Sequence, residues 1–258
     1  MKGNVDDPMS AEFGTVAEWT AHVARDLGPE YHIPAACRGS GQPAALDWLL
    51  AGLRPRPGDV LADAGAGTGG PAAYAAGHTG VRPVLAEPEH GACRAAAALF
   101  HLPVVEADAT ALPLGDASAD VAWCLGVLCT AEGPDAQVAI LRELRRIVRP
   151  ARRIGLLVYL ATTGQLDDPP QGNHFPACGQ LTALLGGAHL EVLAVADASG
   201  LPRPSPVWRD RTAAVERELQ RRFGNTAQLA AATEQSRRIA RLLKSGQLTA
   251  QVLVVRGR

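Results

Sequence analysis

Two acids and a run of glycines carry the most specific chemistry in this chain. In Val60-Leu61-Ala62-Asp63-Ala64-Gly65-Ala66-Gly67-Thr68-Gly69-Gly70, a short apolar run ends on a carboxylate and alternating glycines follow. Glycine is needed where backbone must take positive φ or let a ligand come close. Between a strand and a helix start, such glycines form the mouth of a doubly wound sheet. Gly65-x-Gly67-x-x-Gly70 also satisfies the dinucleotide pattern, in which the helix N-terminus receives a pyrophosphate. Asp63 argues against that ligand, because an anion there repels a pyrophosphate and suits an ammonium. Glu87 closes a second apolar run, where one carboxylate can accept from both hydroxyls of a ribose.

The elements that must position these acids follow from the apolar pattern. Strands are expected at residues 60–62, 81–86, 104–107, 121–125, 154–160, 190–194 and 249–255. Helices are expected at 15–27, 43–53, 91–99, 134–148, 180–185, 207–222 and 227–244, with Gly28-Pro29 ending the first. Residues 31–42 read as irregular, and residues 1–10 as frayed. Alternation of strand and helix implies a parallel sheet.

Asp63-x-Gly65-x-Gly67-x-Gly69 resembles motif I of the class I S-adenosylmethionine (SAM)-dependent methyltransferases. Further segments fall in register with it: Glu87-Pro88, then Glu106-Ala-Asp108-Ala109 through Leu112-Pro113 to Asp120, then Leu141 to Pro150. The resemblance covers residues 55–195 and the last strand. It implies an α/β, Rossmann-like seven-stranded sheet, mostly parallel, with helices on both faces and a helical lid. The last strand should run antiparallel between strands five and six. The domains expected are a lid segment at 1–54, a SAM-binding core at 55–201, a helical cap insertion at 202–246 and a final core strand at 247–258. The cofactor implied is SAM, leaving S-adenosylhomocysteine as product. Asp63, Gly65, Gly67, Gly69, Glu87, Pro88 and Leu125 should line it, with Asp108 and Ala109 gripping adenine and Arg38 its carboxylate. The family usually shows Pro-Gly-Gly before strand five, where this chain has Pro150-Ala151-Arg152.

Methyl transfer from a sulfonium is an in-line displacement, so alignment in a dry pocket is most of the work. A base is needed only if the attacking group is protonated. Many small-molecule relatives place a histidine after strand four, but this chain has Cys129 and Thr130. Cys129 and His174, in the loop after strand five, are the catalytic candidates. Trp19 and Trp208 are candidates for lining the acceptor pocket or packing beneath it. Asp167-Asp168 lacks a third ligand, so no metal is expected.

The function expected is methylation of a small organic acceptor of natural-product, quinone, lipid or sugar type. One rival is a non-methylating binder or pericyclic catalyst on the same fold, left open by the missing base. Another is an RNA methyltransferase using the arginines of 207–244. The remotest is an NAD-dependent oxidoreductase, which lacks a Tyr-x-x-x-Lys. A net charge of −1 and 4% aromatic residues argue against nucleic acid as partner. No stretch suffices to span a membrane, and residues 1–10 hold no apolar signal region. Five cysteines without a Cys-x-x-Cys pair read as reduced thiols in a cytoplasmic protein. The oligomeric state stays open, a homodimer among the options.

Overall fold

The computed structural model describes residues 11–37 and 41–258. After a π-helical stretch at Ala11–Val16 come helices α1 (Ala17–Leu27), α2 (Pro29–Ala36) and α3 (Pro43–Leu53). The first half of the core is β1 (Val60–Ala64), α4 (Gly70–Thr79), β2 (Arg82–Glu87), α5 (His90–Phe100) and β3 (Val104–Glu106). Next come β4 (Val121–Leu125), α6 (Gly133–Ile147), β5 (Arg153–Ala161), α7 (Leu181–Gly187) and β6 (Leu190–Asp197). Helices α8 (Pro206–Phe223) and α9 (Ala227–Lys244) separate β6 from the last strand, β7 (Leu248–Gly257).

Among the described residues the strands form one seven-stranded sheet in the order β3-β2-β1-β4-β5-β7-β6. Strands β1 to β5 pair in parallel, and β7 runs antiparallel to both β5 and β6. This is the class I methyltransferase sheet that the resemblance implies.

Side chains alternate across each strand, and that alternation builds the two core layers. Leu61 and Trp123 join Leu46, Leu49 and Tyr74 of α3 and α4 on one face. Ala62 and Ala64 join Ile140, Leu141 and Leu144 of α6 on the other. By the same alternation Asp63 falls on the α3–α4 face.

The expectation of irregular chain at 31–42 is corrected at 31–36 by α2, and its residues 38–40 lie outside the described residues. Gly28, at φ 125°, closes α1, and Pro29 takes the first position of the next helix, where a missing N–H costs nothing. Tertiary packing then holds a helix too short to stand alone. A Cβ at Gly70 would clash with the Ala36 backbone, so the end of α2 rests directly on the start of α4. Thr68 Oγ1 donates to the Ala36 carbonyl at 3.1 Å. No local pattern could announce that contact.

Helix α8 packs against α1 and α2, and α9 against the π-helical stretch, in a cluster that buries Val215, Leu219, Leu229 and Ala232 with Val23 and Ala24. Arg222 ties α8 to α1 by pairing with Asp26, while also holding Glu218 of its own helix. No helix among the described residues is long and apolar enough to cross a membrane.

Candidate functional site

Strand order reverses between β1 and β4, and such a reversal opens a crevice beyond the carboxyl ends of the strands. Asp63 ends β1 there, beside Trp123 of β4 in register. Only 2% of Asp63 is exposed, and burial pushes its carboxyl up to about 7. The Trp123 indole N–H nearby favours the ionised form, while the charge of Glu87 opposes it. Neither Asp63 Oδ2 nor Trp123 Nε1 completes a hydrogen bond among the described residues. A buried polar atom left unpaired costs about 1–3 kcal/mol, which a ligand donor would recover.

Glu87 is built differently. Its Oε2 accepts from the Gly67 N–H at 2.7 Å and its Oε1 from the Glu89 N–H at 3.0 Å. Burial pushes this carboxyl up to about 7 despite those two donors. Each oxygen keeps a second lone pair for a ligand hydroxyl. The loop it holds requires glycine: Gly65, Gly67 and Gly69 all take positive φ, and a Cβ at Gly65 would clash with Val127. The Phe13 ring stands over Gly67, 4.0 Å from where a Cβ would lie.

A cavity of about 300 Å³ brings Gly65, Pro88, Asp108 and Ala109 together with Val127 and Ile140. Asp108 Oδ1 accepts from the Thr110 N–H and hydroxyl, at 2.7 and 2.6 Å, which fixes the turn around the exposed carboxylate. The following loop is clamped by α6. Glu143 accepts from the Leu112 N–H, and Arg146 donates to the carbonyls of Leu112 and Leu114 and to Asp116. Arg146 beside Glu143 holds that carboxyl below the usual range. Leu125 lies in the α3–α4 core layer rather than along this cavity. Arg38 lies outside the described residues.

A second cavity, of about 580 Å³, opens over the carboxyl end of β5. The start of α3, the turn at Ala198–Gly200, the segment after it and the end of α9 complete its walls. The cavities share no lining residue, but the strands beneath them are bonded at their ends: the Gly126 N–H donates to the Leu157 carbonyl at 2.8 Å. Leu157 lines the larger cavity, and Val127, next to Gly126, lines the smaller.

The catalytic candidates come together, but through backbone. The His174 N–H donates to the Cys129 carbonyl at 2.6 Å, and the His174 carbonyl accepts from Gln137 Nε2 at 2.8 Å. The residue itself is exposed and lines neither cavity. The expectation that the Cys129 thiol faces the crevice is corrected. It is buried, donates to the Gly126 carbonyl at 3.2 Å, and burial pushes it up to about 12. A thiol in that state is no base near neutral pH.

The tryptophans also line neither cavity. Trp19 stacks on Phe223, with ring centroids 4.2 Å apart, and so joins α1 to α8. Trp208 sits edge-on to Tyr74 in the layer that contains Leu157 and Leu201, which places it beneath the larger cavity. Asp168 pairs with Arg238 and Arg241, and Asp167 exchanges hydrogen bonds with Gln247. Those carboxylates tie the loop after β5 to α9.

Sequence reasoning missed Phe13 and Gln137. Gln137 had a signal, since it falls three and four residues before Ile140 and Leu141, a polar side chain on the buried stripe of α6. Phe13 had none, because only the fold brings it to Gly67.

Residues 62–154 match the family model of a methyltransferase domain. No curated protein matches the chain by sequence. Among solved structures the chain is similar to the [4+2]-cyclase SpnF, at 21% identity over 96% of each chain and a TM-score of 0.65. It is also similar to geranyl diphosphate C-methyltransferase from Streptomyces coelicolor A3(2), solved with Mg2+, geranyl diphosphate and S-adenosylhomocysteine. There the identity is 15% over 83% of this chain and 78% of that one, with a TM-score of 0.58. A third is phosphoethanolamine N-methyltransferase 2 of Haemonchus contortus, solved with SAM, at 12% identity, 85% and 54% coverage and a TM-score of 0.64. At these identities the likeness is one of fold: the chain has the fold of class I SAM-dependent methyltransferases, and residues 62–154 match a methyltransferase domain model.

Proposed function

We propose that this protein is a SAM-dependent methyltransferase acting on a small organic acceptor. The observation that carries the reading is the pair Asp63 and Glu87, two buried carboxylates at neighbouring strand ends beside the glycine loop. No cation among the described residues pairs with either, and Asp63 Oδ2 has no partner. Such a site fits a ligand that brings a positive charge and hydroxyl donors. It does not fit a pyrophosphate, so the NAD alternative is disfavoured.

The residues present fit SAM, which when bound supplies an electrophilic methyl carbon. Asp63 faces its ammonium, and Glu87 accepts from the ribose hydroxyls with the oxygens that also hold Gly67 and Glu89. Asp108 accepts from the exocyclic amine of adenine, and the Ala109 N–H donates to the ring. Arg146 and Glu143 keep that loop in place. Phe13 and Val127 keep water from the glycine loop on either side.

With no histidine among the described residues along either cavity and the Cys129 thiol raised by burial, the reading rests on proximity rather than proton abstraction. Alignment alone can supply several orders of magnitude in rate. The paired arginines of α8 and α9 support a small acceptor over RNA. A second reading has one observation in its favour: the structure similar to this chain over 96% of both is that of a cyclase. A pericyclic catalyst needs no base either. Incubation with methyl-labelled SAM and a panel of oxygen, nitrogen and carbon nucleophiles separates the two. The proposal expects transferred label, and SAM binding without transfer across the panel would favour the cyclase reading.

A further inference from the structure

We infer that the larger cavity is the acceptor site and that it takes an apolar molecule bearing an anionic group, a carboxylate or phosphate. The inference rests on the proposal that the methyl donor occupies the crevice at Asp63. Four features of the cavity lead to it.

The first is size and position. About 580 Å³ falls within the range of small-molecule sites. The cavity lies over the carboxyl end of β5, one strand from the loop that carries Val127 at the cofactor cavity. Leu157 of its wall accepts from the Gly126 N–H, so the cavity and the loop that carries Val127 are backbone neighbours.

The second is the character of the walls. Leu157, Leu201, Leu243 and Leu248, with Pro202 and Ala45, give a mainly aliphatic surface. Such a surface rewards burial of an apolar body and offers little to a sugar or nucleotide.

The third is the balance of charge. Among the described residues the lining holds no carboxylate, no histidine and no lysine; its ionisable groups are Arg203 and Tyr159. Gln42, Ser199 and Thr249 add neutral groups that can donate. The acid nearest in sequence, Asp197, instead caps its own turn by accepting from the Ser199 N–H at 2.8 Å. An ammonium would enter without a counter-charge, which burial of a cation requires.

The fourth is Arg203 itself. No carboxylate among the described residues pairs with Arg203, as with Arg209, Arg211, Arg217 and Arg237, but Arg203 is the one of these that lines the cavity, whereas Arg221, Arg222, Arg238 and Arg241 pair with acids. It stands between Pro202 and Pro204, whose rings fix the backbone on either side. An unpaired guanidinium on a stiff segment at the mouth of an apolar cavity is a recognition group for an anionic head.

The test uses decanoate, decanol and decylamine as probes of matched length, titrated calorimetrically into the full-length protein with and without saturating S-adenosylhomocysteine. Decanoate should bind more tightly than decanol, and decylamine least. Arg203→Glu should weaken decanoate by about tenfold or more while decanol changes little. Thr249→Trp, which fills the cavity from β7, should weaken both decanoate and decanol. Each variant should bind S-adenosylhomocysteine as the wild type does. Decylamine binding as well as decanoate, decanoate affinity unmoved in Arg203→Glu, or no decanoate binding at all would overturn the inference. If S-adenosylhomocysteine fails to bind the wild type, the cofactor reading falls, and the decanoate series without it still judges the cavity.

Discussion

The backbone N–H of Gly67 donates to Oε2 of Glu87 at 2.7 Å, so the acid that faces the crevice also holds the glycine loop in shape. Two roles in one carboxylate predict a graded response. Glu87→Gln keeps a carbonyl oxygen for Gly67 but loses the charge, whereas Glu87→Ala loses both. SAM affinity should fall by about 1.5–3 kcal/mol, roughly tenfold or more, in the glutamine variant. The alanine variant should lose more, and its Tm should fall as well. Calorimetry and thermal melts check this; equal SAM affinity in both variants and the wild type would refute it.

The two buried acids predict opposite pH slopes for folding and for binding. Burial raises both Asp63 and Glu87 to about 7, well above the value of about 4 each has in an unfolded chain. Between about pH 4 and 7 the empty folded protein therefore holds more protons than the unfolded chain. Their contribution to stability is present in acid and is lost as pH rises through about 7. The ligand-free wild type should thus lose Tm relative to the Asp63→Asn, Glu87→Gln double variant as pH rises from about 5 to about 8. SAM, being cationic, prefers the ionised pair, so its affinity should strengthen over the same interval. Thermal scans and calorimetry at three pH values read both slopes. Parallel slopes would contradict the account.

Ala151 predicts a stabilising substitution. It sits at φ 63°, a conformation that glycine adopts without strain, in the turn where the family usually has Pro-Gly-Gly. The next residue explains what replaces the second glycine. Arg152 reaches Asp59 and the Asp120 carbonyl, tying the turn to the amino end of β1. Ala151→Gly should raise stability by up to about 1 kcal/mol, measured by urea unfolding, with SAM affinity unchanged. Arg152→Gly should lower it.

The arginine-rich helices predict weak interest in nucleic acid. Of their eight arginines four are paired, Arg222 with Asp26 and Glu218, Arg221 with Glu218, and Arg238 and Arg241 with Asp168 and Glu234, while Arg209, Arg211, Arg217 and Arg237 pair with no acid among the described residues. A filter assay should find no steeply salt-dependent tRNA binding. Micromolar affinity abolished by Arg221→Glu with Arg222→Glu would favour the RNA alternative.

The parts of this molecule legible in the sequence are those set by local pattern. Apolar runs marked the strands, and their terminal acids Asp63 and Glu87 marked the crevice, because strand ends and glycine turns are written within a few residues. The antiparallel last strand came only from the resemblance. What stayed hidden was set by contacts between distant segments. Helix α2 exists because Ala36 rests on Gly70, and Phe13 reaches Gly67 only once α1 has docked. Cys129 and His174 meet through backbone, and a buried thiol beside an exposed histidine depends on packing that spacing does not encode. The larger cavity draws its walls from five separate stretches, so no single motif could name it.

The central claim is that the crevice at Asp63 selects a cation-bearing nucleoside, and direct calorimetric titration of SAM and NAD tests it most simply. Wild type should bind SAM and show no heat with NAD at the same concentrations. Asp63→Asn should weaken SAM by about tenfold or more, since the orphaned carboxylate oxygen is the partner that the ammonium would gain. NAD binding by the wild type, or SAM affinity unchanged in Asp63→Asn, would contradict the account.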